Sequence, residues 1–305
     1  MYSSLMNKMH CTKKLTLKIL SLSPGALQIA KSLRDKLRRS RNFSRKTLLD
    51  NTEDSKNFQL AMSRHLFTSS IDPNLEYLEI GPLHNPQLEG GNIKYFDLMN
   101  SENLKLKAKE HGLSTLRVPH IDYFDENGDL SIIQREFDGV FSSHVIEHQP
   151  NLIKHLRQVA NLLKNTDSSY FLIIPDHRYC FDHFLHPSNL SEVVGAFEAD
   201  VKKPPKHKVI EHWALTAHND PNRHWVGDHG EQFTDLASRW AKALNSYQEK
   251  EYNDAHCWQF TPESFSQICN ALYELEYIDL KLVKTWDTNF GDIEFFAQLK
   301  LSRSK

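Results

Sequence analysis

Several groupings of histidine and carboxylate in this 305-residue chain have the composition of reactive sites. In His144-Val-Ile-Glu147-His148 an imidazole, a carboxylate and a second imidazole follow at spacings of three and one. If the turn is helical, positions i, i+3 and i+4 share a face and aim the three side chains at one centre. That mixture suits a divalent ion such as Mn, Fe, Co, Ni or Zn; the other reading is a pair that shapes a pocket without metal. Asp176-His177-Arg178-Tyr179 offers an imidazole able to act as general base near neutral pH. Its guanidinium can grip a carboxylate or phosphate bidentately, the alternative being a capped turn with a structural ion pair. Asp97 closes the short apolar run 93–96, where a carboxylate can accept hydrogen bonds from two ribose hydroxyls.

These groups need a rigid support, and the pattern supplies one. The run 77–80 reads as a buried strand stopped by Gly81-Pro82. Only Gly81 of a Gly-x-Gly-x-x-Gly fingerprint is present, and Pro82 has no N–H to offer a pyrophosphate. A nucleoside ligand without a pyrophosphate, such as S-adenosylmethionine (SAM), fits better than a dinucleotide. Further strands are predicted at 93–96, 116–118, 139–142 and 170–174, alternating with helices at 101–111 and 151–163. Such alternation implies an α/β fold with a doubly wound, mostly parallel sheet. Leu190 to Val201, Lys206 to Ala217 and Phe233 to Tyr247 read as helices of an insertion, punctuated by Pro204-Pro205 and 219–222. An insertion leaving a strand's carboxyl end lies over the ligand crevice. His212, His218, His224 and His229 have no compact ligand spacing there and read as ordinary polar residues; Cys180 to His186 reads as a wall of the same pocket. Thr261, Pro262 and Glu263 start a helix to 274, and strands at 280–286 and 294–301 close the sheet.

The charge balance, 37 basic against 39 acidic residues, argues against a nucleic-acid binder working by bulk electrostatics, and no DNA partner is expected. Cys11, Cys180, Cys257 and Cys269 are widely spaced, which fits a reducing compartment and a cytoplasmic location. No apolar run is long enough to span a membrane. Residues 1–50 carry twelve Lys and Arg against two acids, with a helix at 26–37 after Ser23-Pro24. This segment reads as a solvated helix, with weak membrane-surface contact or targeting as alternatives. Residues 51–70 read as an entry helix.

Glu79-Ile80-Gly81-Pro82, Tyr95-Phe96-Asp97-Leu98 and Phe137 to His148 resemble the successive motifs of class I SAM-dependent methyltransferases. The match is nearest the type-11 group, in particular bacterial glycosyltransferase-associated members. The resemblance implies a seven-stranded Rossmann-like sheet with a helical cap. It places a SAM-binding core at 51–175 and 256–305, a substrate cap at 176–255 and a basic N-terminal segment at 1–50. It implies that Glu79, Gly81, Pro82, Asp97 and Leu98 hold the cofactor, that Asp122 sits beside the adenine, and that Ser143 borders the methionine end.

The His-Val-Ile-Glu-His stretch also resembles the metal motif of small-RNA 2′-O-methyltransferases and ubiquinone O-methyltransferases. This implies His144, Glu147, His148 and His256 as metal ligands. His144 stands where those enzymes have Glu, which favours a transition metal over Mg or leaves the position without metal. The expected activity is methyl transfer to an oxygen of a small-molecule or saccharide acceptor, with His148, His177 and Arg178 as catalytic candidates. The competing readings are a non-catalytic module binding SAM or S-adenosylhomocysteine, an RNA 2′-O-methyltransferase, and a dinucleotide-dependent oxidoreductase.

Overall fold

The computed structural model describes residues 61–247 and 252–302. The basic segment, its expected helix and the first part of the entry helix lie outside the described residues.

Strand β1 (Tyr77–Ile80) is buried at every position and lies in the interior of the sheet, next to its central strand. It pairs in parallel with β2 (Ile93–Asp97) on one side and β4 (Gly139–Ser143) on the other. β3 (Tyr123–Phe124) extends β2, and β5 (Ser169–Pro175) extends β4, both in parallel. The closing strands β6 (Leu280–Trp286) and β7 (Glu294–Leu301) are antiparallel, with β7 seated against β5. The order is β3-β2-β1-β4-β5-β7-β6. This is the expected α/β architecture, a doubly wound, mostly parallel, Rossmann-like seven-stranded sheet.

Alternation along the strands divides the core between the two faces, because successive strand side chains point to opposite sides. Leu78, Ile80, Val140 and Phe295 join the larger cluster, beneath α3 (Leu152–Leu162) and α8 (Pro262–Glu274). Tyr77, Phe141, Ile173 and Phe296 join the opposite one, with Phe67 of α1 (Arg64–Ser69). A third cluster forms under α2 (Ser101–Glu110), where Leu104 and Ala108 meet Val118 and Ile121. Asn151 caps α3 by accepting from Lys154 N–H, and Thr261 caps α8 reciprocally with Ser264, Pro262 standing at its first turn.

Two sequence expectations are corrected. No strand forms at 116–118; Leu116 is 93% exposed, so that apolar run is a surface turn, and the third strand is the short pair after Asp122. The polar run 219–222 does not merely interrupt the chain. Asp220 accepts from Asn222 and Arg223 N–H and starts a helix with Pro221 at its first position. Asp-Pro is a breaker and equally a helix start. Between β5 and α8 the chain thus forms α4 (Leu190–Glu198), α5 (Lys206–Ala214), α6 (Pro221–Trp225) and α7 (Leu236–Ser246).

Candidate functional site

The carboxyl ends of β1, β2 and β4 surround a cavity of about 200 Å³. Gly81 leaves β1 at φ +69°, and its N–H donates to Phe96 O at 2.8 Å. A Cβ on Gly81 would stand 2.6 Å from Val145 Cγ2, so the turn after β1 fits against the turn after β4 only without a side chain. Leu83, also left-handed at φ +46°, directs its N–H to Asp97 Oδ2 at 3.3 Å. Asp97 Oδ1 accepts from Leu98 N–H at 2.7 Å. Burial pushes the Asp97 carboxyl up to about 6, against the pull of the Leu98 and Leu83 N–H groups.

Of the sequence-predicted cofactor residues, Gly81, Asp97 and Leu98 line this cavity. Glu79 lies beneath it. Its carboxylate accepts from Gln87 and Leu88 N–H at 2.8 and 2.9 Å and so shapes the loop after β1. Burial raises its pKa to about 7, with those two N–H groups opposing. Pro82 is buried next to the cavity without lining it. Asp122 is elsewhere: Lys94 Nζ stands 2.7 Å from Oδ1, and Tyr95 N–H donates to Oδ2 at 3.0 Å. The wall expected of it is built by Asn127, Gly128 and Leu130 instead. Asp125 supports that loop by accepting from Asn127 and Asp129 N–H at 2.9 and 3.0 Å. The displacement follows from the shifted third strand. Ser143 is set aside as well, its Oγ accepting from Arg64 Nη1 at 3.0 Å. Lys107 and Tyr252 line the cavity with no sequence signal to mark them.

His144 and His148 also line this cavity. The stretch is not the regular helix expected. His144 adopts φ +54°, and only Ile146–His148 forms a 3₁₀ turn. The convergence survives this. Glu147 is fully buried, and neither carboxylate oxygen has a hydrogen-bond partner. Its Oε1 lies 3.9 Å from His144 Nδ1, from His148 Nε2 and from His256 Nε2. The donor atoms of Glu147, His148 and His256 all lie within 4.8 Å of one another; His144 is outside that set.

Each of the three imidazoles has a carboxylate at its other nitrogen. His256 Nδ1 donates to Asp182 Oδ2 at 2.6 Å, and His144 Nε2 donates to Glu294 Oε2 at 2.9 Å. His148 Nδ1 stands 3.0 Å from Asp254 Oδ1. Arg64 pairs with Glu294 from the opposite side. With those protons committed, lone pairs of His144 and His256 face a carboxylate oxygen with nothing between. Burial opposes charge on His148, but Asp254 and Glu147 outweigh it and raise its pKa. An unpartnered buried carboxylate ringed by imidazoles, each backed by a carboxylate, fits a divalent cation. Gaps of 3.9 Å are too long for hydrogen bonds, yet an ion about 2.0–2.2 Å from each atom spans them.

The Asp176–Arg178 group is placed differently. Asp176 is fully buried, accepting from Arg178 Nε and Nη2 and from Thr288 Oγ1 at 2.7 Å. Arg178 thus forms the structural ion pair that was the alternative reading, through Nε and Nη2, while its side chain stays 44% exposed. His177 is buried, its N–H donating to Phe260 O at 2.9 Å, and burial lowers its pKa; it does not line the cavity.

No family model matches the sequence, and comparison with curated proteins gives no match. Solved structures are similar at the level of the fold. The CcbJ methyltransferase from Streptomyces caelestis is 11% identical, with 78% of this chain and 94% of that one covered at a TM-score of 0.40. A protein assigned as a zinc-dependent alcohol dehydrogenase, from Rhodobacter sphaeroides, is 14% identical, with coverages of 79% and 89% and a TM-score of 0.44. The CurJ carbon methyltransferase is 14% identical at a TM-score of 0.35, and this chain spans about half of its length (51%). Likeness of this degree concerns the sheet and its helices and says nothing about chemistry. Among the described residues no helix is long and apolar enough to cross a membrane.

Proposed function

We propose that the chain is a SAM-dependent methyltransferase acting on an oxygen of a small-molecule or saccharide acceptor, assisted by a divalent metal. The observation that carries this reading is a single cavity whose lining includes Asp97, His144 and His148. On this reading a nucleoside site and a polar, ion-compatible site would share one space.

Asp97 would accept the ribose hydroxyls, Gly81 would let the ligand approach the backbone, and the loop 127–130 would border the base. The cofactor supplies an already electrophilic methyl group, so the protein's task is in-line placement with water excluded, worth up to about 7–11 kcal/mol. Phe96, Leu83, Leu130 and Val145 give that cavity apolar walls. Glu147, His148 and His256, with His144 beside them, would hold the metal, which when bound lowers the pKa of a hydroxyl that it ligates. Asp182, Asp254 and Glu294 orient the three imidazoles. His148 remains the general-base candidate in a metal-free site, since His177 does not line the cavity. The segment 176–255 is read as the substrate cap over the 51–175 and 256–305 core.

The test is release of S-adenosylhomocysteine in a screen of sugars, nucleotide-sugars and small RNAs, with and without Mn²⁺ or Co²⁺. Turnover with a hydroxylated small molecule is expected. SAM binding without turnover on any acceptor would leave a binding module, and turnover confined to RNA 2′-hydroxyls would move the reading to that substrate.

A further inference from the structure

Four imidazoles of the segment between β5 and α8 are gathered far more closely than their sequence spacing suggests. His183 and His229 lie face to face, ring centroids 3.6 Å apart and planes at 8°. His218 and His224 stack at 4.2 Å. They come from separate pieces of chain: the loop after β5, the segment before α6, α6 itself and the turn that follows it.

Main-chain carbonyls fix two of the tautomers. His183 Nδ1 stands 2.7 Å from Arg178 O; a carbonyl only accepts, so Nδ1 carries the proton and Nε2 the lone pair. His224 Nε2 stands 3.0 Å from His218 O, leaving the lone pair on Nδ1. That lone pair accepts a hydrogen bond from His229 Nδ1 at 3.0 Å, which is also the separation of two nitrogens each about 2.1 Å from one ion at a right angle. His218 is fully engaged, donating from Nε2 to Asp228 O and accepting at Nδ1 from Asp220 N–H. It supports His224 from its face and offers no free nitrogen.

We propose that His183, His224 and His229, whose donor atoms all lie within 4.8 Å of one another, form a second divalent-metal site of the zinc, cobalt or nickel class. The donors are all imidazole, which selects a borderline transition ion over Mg²⁺ or Ca²⁺. Three protein donors leave a coordination position for water or a ligand oxygen. Because the His183 and His229 rings are parallel, a shared ion requires one of them to turn about χ2. The site does not depend on the Glu147 centre being filled, but the two are adjacent along the chain. Asp182, which holds His256, precedes His183, so an ion on His183 would also anchor the loop that positions His256.

The test counts zinc on the full-length chain after loading with Zn²⁺ alone and gel filtration. His229→Ala, and separately His183→Ala, should each hold one ion fewer per chain than the parent. Both residues are only half-buried, and circular dichroism checks that each variant is folded; His229→Asn serves if His229→Ala is not. The same one-ion difference should appear in a Glu147→Gln background, which separates this site from the other centre. Equal zinc in parent and folded variants, or no zinc on the parent, overturns the proposal.

Discussion

Asp182 Oδ2 stands 2.6 Å from His256 Nδ1, with both side chains nearly sealed from solvent. The carboxylate fixes the ring so that its other nitrogen faces Glu147, a relationship that matters only if that nitrogen has something to bind. Asp182→Asn should therefore weaken Mn²⁺ or Co²⁺ binding about 10-fold, and Asp182→Ala toward 100-fold, the range for removing such supporting groups. Titration calorimetry reads this directly. An unchanged affinity in a folded variant would detach Asp182 from the centre.

Glu147 gives a sharper contrast, because its two oxygens are buried and unpartnered. In chelator, an uncompensated buried carboxylate lowers stability, and Glu147→Met, similar in size and without the charge, should raise the unfolding free energy by about 1–3 kcal/mol. Added Mn²⁺ or Co²⁺ should then stabilise the wild type and not the variant, through binding to the folded state alone. Urea unfolding with and without the ion measures both. A variant less stable than wild type in chelator would mean that the imidazoles already neutralise the carboxylate.

The sheet and the Glu147 centre were largely legible in the sequence, and the reasons are local. β1 is a buried run cut by Gly-Pro, and Thr261-Pro262 is a strong helix start; neither needs tertiary context to be read. Glu147, His148 and His256 were marked by motif and are brought together as expected, although His144 joins them through a left-handed residue and not along a helix face. Asp122 was indexed to a strand at 116–118 that does not form, because the two-residue strand that does form, just after Asp122, has almost no sequence signal. Arg178 could be read two ways, as a grip on a ligand or as a structural ion pair, because Asp176, two residues away, is as good a partner as any ligand. The His183, His224 and His229 cluster had no short-range spacing at all; only the folding of α6 back on the loop after β5 assembles it.

Asp97 predicts a pH dependence. The folded chain holds its proton up to about pH 6, against an ordinary 3.8, because burial disfavours the charge. Between those values the folded state binds more protons than the unfolded one. This group alone therefore makes the ligand-free protein more stable as pH falls and less stable as it rises through that window. SAM binding runs the other way, since ribose hydroxyls donate to the ionised form. Affinity should be level above pH 7 and fall by up to about tenfold per unit below pH 6. Asp97→Ala should remove that dependence and weaken binding about 100-fold at pH 7.5, from the loss of charge-assisted bonds worth about 1.5–3 kcal/mol each. Calorimetry from pH 5 to 8 decides it, and a pH-independent wild-type Kd would remove Asp97 from the ribose site.

Gly81 sits where the turns after β1 and β4 meet, and its substitution tests whether their close approach is real. At φ +69° an L-residue costs about 1–2 kcal/mol from the backbone alone. The added Cβ must also displace Val145, whose Cγ2 would be 2.6 Å away and whose neighbour is His144. Gly81→Ala should therefore destabilise the chain by more than the backbone figure and weaken both SAM and metal binding. Val145→Ala takes away the obstructing methyl groups, so the double variant should lose less stability than the sum of the single losses, by about 0.5–3 kcal/mol. Strict additivity would mean that the backbone conformation alone requires glycine, and the turns after β1 and β4 would then have no steric coupling through this residue.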